Sequence, residues 1–243
     1  MRRLMLSLMA MSVVGAFFAT PSASAQQAVN FFVGGFVPAP LDSRGNINGG
    51  LSNDVLVNNQ NFLAFRFDRF DGVTFGGEYL VALGDFFDAG ASIGYYQQTV
   101  PAVDANFVHP NGASIAADLK LRIVPFTATA RVLPLGHRAP VVPYVGGGIA
   151  IYGWRYSESG EFVDYTPPVG RTPPTFFSTF VGSGSAVGPV VVGGVKVPIG
   201  PMAPGFEVRW QGGKGDLPSN QSFSATKIDL GGINYLFTFE IRF

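Results

Sequence analysis

The sequence contains no cysteine. That absence excludes disulfides, Cys-ligated zinc, iron–sulfur clusters and thiol catalysis. Charge is scarce too. Asp, Glu, Lys and Arg make up 13% of the 243 residues, with 16 basic residues against 16 acidic ones, where about a quarter is usual for a soluble domain. A nucleic-acid binder would need a basic excess, and a disordered chain would need more charge and less apolar content. Beyond the first 25 residues there is also no apolar run of the ~20 residues that a spanning helix requires. The most apolar stretch, Val187 to Val197, is cut by Gly and Pro. Yet the mean hydropathy is positive, and Gly (32) and Phe (23) are abundant. Something other than helices has to account for that.

The amino terminus reads as a targeting segment. Arg2 and Arg3 precede an apolar run from Leu4 to Phe18, and Ala23-Ser24-Ala25 supplies a small-x-small cleavage pattern. The run is too short for a transmembrane anchor. Residues 1–25 are therefore expected to be a cleaved signal peptide, and 26–243 the mature domain, with a slight acidic excess.

Along the mature chain the apolar period is two. Ile233, Tyr235, Phe237, Phe239, Ile241 and Phe243 alternate with mostly polar residues, the pattern of a strand with one greasy face. Val73, Phe75, Tyr79 and Val81 repeat it, as do Phe87, Ala89, Ala91, Ile93 and Tyr95, and Phe206, Val208 and Trp210. The segment 141–156 is ambiguous in phase, with Gly146, Gly148 and Ala150 as a small-residue face. In 114–133 the apolar positions are odd up to Ile123 and even from Phe126. A bulge at Pro125 would flip the faces there. Eight strands result, at 29–37, 73–83, 86–100, 114–133, 141–156, 186–198, 205–213 and 226–243. Short connections (84–85, 134–140, 199–204) alternate with long ones (38–72, 101–113, 157–185, 212–225). The fold class expected is all-β, a transmembrane up-and-down antiparallel β-barrel of eight strands. A soluble barrel fits less well, because the polar faces are poor in Lys and Glu. Tyr95, Tyr144, Trp154, Tyr156 and Trp210 read as interfacial aromatics on the apolar faces.

The Ala23-Ser24-Ala25 end of the signal, the stretch Pro143-Tyr144-Val145-Gly146-Gly147-Gly148 and the final Tyr235 to Phe243 together resemble the OmpA/OmpX-like family of eight-stranded outer-membrane proteins. The resemblance implies a bacterial outer-membrane location, reached through the periplasm. It also implies an assembly signal, read by the barrel assembly machinery, at Tyr235, Phe237, Phe239, Ile241 and Phe243. It implies almost nothing about activity. No trailing peptidoglycan-binding domain is expected after the last strand.

With polar faces inward, the lumen would hold Glu78, Asp88, Asp118, Glu207 and Glu240 against Lys120, Arg122, Arg131, Lys196, Arg209 and Arg242. Near-equal numbers favour an ion-pair network filling a narrow barrel over an ion-selective pore. Of the two histidines, His109 falls in a long external loop and His137 in a short turn at the opposite, periplasmic side. Neither sits in a recognisable nucleophile motif, and no metal-ligand cluster or phosphate loop is present. No enzyme activity and no cofactor are expected. The first long loop is unusually apolar, with Val55, Leu56, Val57, Phe62, Leu63, Phe65, Phe67 and Phe70. It could form a helical turn, an added strand pair or a flap over the mouth. The loop around Pro167, Pro168, Pro173, Pro174 and Phe176-Phe177 reads as extended and exposed.

Three functions remain open. The first is a structural or surface-binding role carried by the long loops. The second is a narrow channel for small or apolar solutes of the OmpW type, gated by the first loop. The third is a lipid-modifying enzyme like the deacylases and palmitoyltransferases that resemble this fold. The partners expected are outer-membrane lipid and lipopolysaccharide, the assembly machinery and an unspecified loop ligand. Nucleic acid is not among them, and a monomer is expected.

Overall fold

Alternation of Val, Ile, Phe and Tyr with small or polar residues makes strands whose two faces want different surroundings. The computed structural model, which describes residues 26–44, 52–164 and 173–243, satisfies both faces by closing the sheet. The strands are β1 (Gln27–Pro38), β2 (Leu63–Ala64), β3 (Gly72–Ala82), β4 (Phe87–Val108), β5 (Ser114–Val132), β6 (Val142–Val163), β7 (Thr175–Lys196), β8 (Met202–Gln211), β9 (Lys214–Asp216), β10 (Lys227–Asp229) and β11 (Gly232–Arg242). Eight of them form a ring in the order β4-β3-β1-β11-β8-β7-β6-β5, and β5 closes back on β4. All ring pairings are antiparallel. β1 meets β11 from Ala28↔Arg242 to Pro38↔Gly232. A closed ring leaves no edge and no unpaired backbone, which is what lipid demands of a sheet.

The faces sort by chemistry. Phe31, Phe75, Phe87, Ile93, Phe126, Ile149, Ile151, Val187 and Phe237 project outward and are exposed. Glu78, Arg131, Lys196, Glu207 and Arg209 project inward and are buried. A soluble barrel would reverse this. An apolar outer belt around a charged interior is a membrane-spanning barrel. The end with short turns (83–86, 133–141, 197–201) also holds Gln27 and Phe243, which exchange backbone hydrogen bonds of 2.9 and 3.2 Å. The signal segment, and Pro167 and Pro168, lie outside the described residues.

Four expectations need correction. First, there is no bulge at Pro125. The pairing of β5 with β6 runs without a shift from Ala117↔Gly160 to Val132↔Val145, with Pro125 opposite Tyr152. Ile115, Leu119, Leu121, Ile123, Thr127, Thr129 and Arg131 all face inward. Only the chemistry of the inward face changes along the strand. Second, Asp118, Lys120 and Arg122 are therefore exposed on the outer wall, not in the lumen. Third, Tyr144, Trp154 and Tyr156 are buried in the bore; of the proposed girdle, Tyr95 and Trp210 face out. Fourth, much of the expected loops 101–113 and 157–185 is strand. β4, β6 and β7 each run 22 residues, twice the ~9–11 that cross a bilayer, so they stand as hairpins beyond the belt. At the carboxy end, Lys227–Asp229 pairs with β9 instead of extending β11.

The interior has two layers. Toward the short turns it is charged. Toward the long loops it is an apolar cluster of Phe36, Tyr96, Leu119, Leu121, Ile123, Tyr152, Trp154 and Tyr156, onto which Val55, Leu56, Leu63 and Phe70 of the first loop pack.

Candidate functional site

The charged layer is built by four neighbouring inward positions. Arg131 Nη2 donates to both oxygens of Glu78, at 2.6 and 2.7 Å, and to Glu207 Oε2 at 2.9 Å. Arg209 donates from Nε and Nη2 to Glu207 Oε1, at 3.0 and 2.7 Å. Tyr144 donates its hydroxyl to Glu207 at 2.9 Å, and Asn30 its amide to Glu78 at 3.1 Å. The guanidinium of Arg131 lies 4.7 Å from the Tyr144 ring centre, and that of Arg209 5.0 Å from Phe32. Two small residues make the room. A Cβ on Gly90 would stand 2.9 Å from Glu78 Oε1, and one on Gly194 2.5 Å from the Tyr144 hydroxyl. Nearer the short turns, Lys196 Nζ lies 2.7 Å from Glu240 and 3.5 Å from Asp88, while Arg242 donates to Glu240 at 2.8 Å. His137 Nε2 stands 3.0 Å from Asp88 Oδ1. Eight of the eleven charges read as lumenal are thus brought together here. Opposite charges alternate, so each buried ion has a partner to offset its desolvation.

Above the apolar cluster, the first loop folds into the mouth. It contains α1 (Leu41–Arg44), α2 (Val55–Asn59), β2 and a 3₁₀ turn (Phe67–Phe70). Asp54 caps α2, accepting from the Leu56 and Val57 amides at 2.9 and 3.3 Å. It also accepts from the Asp229 amide at 2.6 Å, and Arg44 lies 3.4 Å away. Burial pushes the Asp54 carboxyl above its ordinary pKa, against the pull of Arg44. β2 adds to β4 at Leu63↔Asp104 and Ala64↔Val103, and Tyr96 donates its hydroxyl to the Phe70 carbonyl. Asn59 ties this plug to the wall, donating to Glu158 Oε1 at 2.7 Å and to the Tyr156 hydroxyl at 3.2 Å. Burial raises the Glu158 carboxyl, while its bonds from Asn59 and Tyr156 oppose the rise.

Between plug and wall is a cavity of about 240 Å³ open to the long-loop side. Phe62, Leu63, Phe162, Phe176 and Phe180 line it, with Asn59, Asp104 and Glu158 among its polar residues. Composition pointed to the Phe-rich loop. Nothing in the sequence marked Asn59 or Glu158, although Asp54 before an apolar run is a helix-start signal. His109 forms the β4–β5 turn and holds Glu161 of β6 at 2.9 Å. Among the described residues, no group of three His, Asp or Glu is placed to hold a metal ion.

No family model matches the chain, and no curated protein matches it. Several solved structures are similar in architecture. The N-terminal β-barrel domain of Pseudomonas aeruginosa OprF is 11% identical with a TM-score of 0.40, over 90% of this chain and 100% of that one. Neisserial surface protein A is 11% identical with a TM-score of 0.41, over 92% and 100%. Ail, the attachment invasion locus protein of Yersinia pestis, solved with the heparin analogue sucrose octasulfate, is 8% identical with a TM-score of 0.39, over 90% and 99%. At such identity, function has to come from the residues of this chain.

Proposed function

We propose that the protein is a non-enzymatic outer-membrane barrel with a closed bore, whose working surface is its external mouth. The observation that carries this is a double seal. The ion-pair layer and the docked first loop occupy the same bore at two heights. Two voids along it, one beside Asp88 and Lys196 and one beside Thr74, Tyr96 and Gln211, measure about 10 Å³ each, room for about one water. Such an interior supports a structural or surface-binding role over a channel. The mouth cavity, with phenylalanine walls and a carboxyl floor, suits a small apolar or aromatic group carrying a hydrogen-bond donor. In this reading residues 1–25 direct export to the periplasm, the last strand is read by the assembly machinery, and the barrel works as a monomer.

Two measurements test it. In planar bilayers the refolded protein should give no steady conductance; persistent open-channel current would favour the conduit. The neutral probe N-phenyl-1-naphthylamine should bind at the mouth, and Phe180→Ala should weaken its binding. Unchanged binding in that variant would remove the cavity from the proposal.

A further inference from the structure

Lys120 and Arg122, two cations that the alternation rule assigned to the lumen, lie outside it beside a third, Arg155 of β6. Their height follows from the register. Ile93, Phe126, Ile151 and Val187 pair in sequence across β4, β5, β6 and β7, and they are 48, 52, 52 and 69% exposed. They form an apolar row of the belt. Four residues further toward the long loops, the outward row reads Gln97, Arg122, Arg155 and Ser183. The row beyond it reads Thr99, Lys120, Ser157 and Val181. Four residues are about 13 Å along a strand, or about 9 Å of height at a tilt near 45°. That lifts the row past the last one made only of large apolar residues, toward the interface on the long-loop side. Tyr95 lies between the rows, as an interfacial aromatic should, and donates its hydroxyl to Gln97 Oε1 at 3.1 Å. Among the described residues the Gln97 amide nitrogen has no acceptor, so it can donate outward.

Gln97, Lys120, Arg122, Arg155 and Ser157 line one shallow hollow of about 280 Å³. Cross-strand neighbours stand about 5 Å apart, so Arg122 and Arg155 repel each other unless an anion lies between them. None of the three cations has an acidic partner among the described residues. Farther toward the long loops on the same two strands are the acids Asp118, one step beyond Lys120 on β5, and Glu161 on β6, which is held by His109.

We propose that Lys120, Arg122 and Arg155 form a binding site for the phosphate monoester of an outer-leaflet glycolipid of the lipid A type. Two guanidinium forks and an ammonium suit a doubly charged, multi-oxygen group better than the singly charged diester of an ordinary phospholipid. Gln97 and Ser157 add neutral hydrogen bonds. The long stems of Lys120 and Arg122 can reach down toward the belt while their heads stay at the phosphate level. The site rests on the outer-membrane reading, because only there do its height and orientation matter.

The experiment uses the mature chain refolded in neutral detergent. Binding is titrated with bis-phosphorylated lipid A, with enzymatically dephosphorylated lipid A and with inorganic phosphate. Lipid A should bind, the dephosphorylated lipid should not, and inorganic phosphate should compete only at far higher concentration. The K120Q/R122Q/R155Q variant should lose at least about tenfold in affinity. Asp118→Asn should gain, and added salt should weaken wild-type binding. Equal binding of both lipids, or an unchanged triple variant, overturns the site. Inorganic phosphate competing as well as lipid A overturns the lipid assignment. If the triple variant does not fold, the lipid comparison and the salt dependence of the wild type decide alone. A heat-dependent gel shift of the wild type is read alongside. Its absence would count against the membrane barrel itself, and its presence without lipid A selectivity against this site alone.

Discussion

Arg131 on β5 reaches across the bore to Glu207 on β8, with Nη2 2.9 Å from Oε2. The two strands are far apart around the ring, so this contact ties opposite walls together. Arg131 also serves Glu78 on β3. Replacing it with Met would leave two buried carboxylates without their main counter-charge, at about 3–5 kcal/mol. Denaturant unfolding in detergent micelles should show that loss. Neutralising both acids in the same chain, as R131M/E78Q/E207Q, should recover much of it. No loss in Arg131→Met would mean that the layer fills space without holding the walls.

Phe237 projects into the belt at 69% exposure, midway along β11. Phe237→Arg should cost about 2–4 kcal/mol in bilayers, while Phe237→Leu should be nearly neutral. Thr238 faces inward beside Gly205, whose Cβ would stand 2.8 Å from Thr238 Oγ1. An Arg at 238 is therefore overpacked, not accommodated, and Thr238→Val is the fair inward comparison. Equal damage from Phe237→Arg and Phe237→Leu in vesicle refolding would argue against a lipid-facing belt.

Asp54 and Glu158 both carry carboxyls raised by burial, and both lie outside the membrane-spanning segments. A raised folded pKa means that the docked plug binds protons more tightly than the undocked chain. Its stabilisation is full below about pH 4, the ordinary carboxylate range, and is lost as pH rises through the raised values. Hydrogen exchange of residues 55–70, corrected for intrinsic rate, should therefore show more protection at pH 5 than at pH 8. Glu161 behaves oppositely. The Thr175 hydroxyl, then His109, hold its carboxyl below the ordinary value. Its contribution is present above about pH 4.5 and lost as pH falls. Pairing at the hairpin tips should loosen in acid while the plug tightens. Parallel responses of both regions would contradict this assignment.

Phe243 is exposed and contributes two backbone hydrogen bonds with Gln27 to the closed ring. Deleting it should cost a folded barrel only about 1–2 kcal/mol. Insertion in cells should fall much further, because the resemblance of the last strand to an assembly signal ends on that residue. Comparing membrane and periplasmic fractions with refolding in vitro separates the two effects. Normal insertion of the truncated chain would remove the signal role, and failure in both settings would make Phe243 structural.

The ring was legible wherever a strand stays within the belt. In β3, β8 and β11 most greasy residues face lipid and the polar ones face the bore, with Leu80 and Leu236 as inward exceptions, so alternation placed Glu78, Glu207, Arg209 and Glu240 inside. In β5 the same rule failed above Pro125. There the proposed surroundings outside are headgroup and water, and the inside is packed by Val55, Leu56 and Phe70. Leu119, Leu121 and Ile123 turn inward, while Lys120 and Arg122 turn out. A change of surroundings and a bulge that swaps faces produce the same string of apolar and polar letters. Tyr144, Trp154 and Tyr156 on β6 were misplaced because an aromatic at a strand end can serve a girdle or a core equally well.

What the sequence determined by itself was local: the period of two, the short Gly- and Pro-bearing turns, the alternating loop lengths and the balance of charge. Each depends on a residue and its near neighbours in the chain. The tertiary structure alone decided which face meets what at each height. The first loop buries Phe70 and packs the half-buried Phe62, Phe65 and Phe67 at the mouth because a cluster from β4, β5 and β6 is there to receive them. The Asn59–Glu158 bond joins residues 99 apart in sequence. Lys120, Arg122 and Arg155 become neighbours only through the pairing of β5 with β6. Burial and charge proximity are properties of the closed ring, where strands distant in the chain share one bore and one belt.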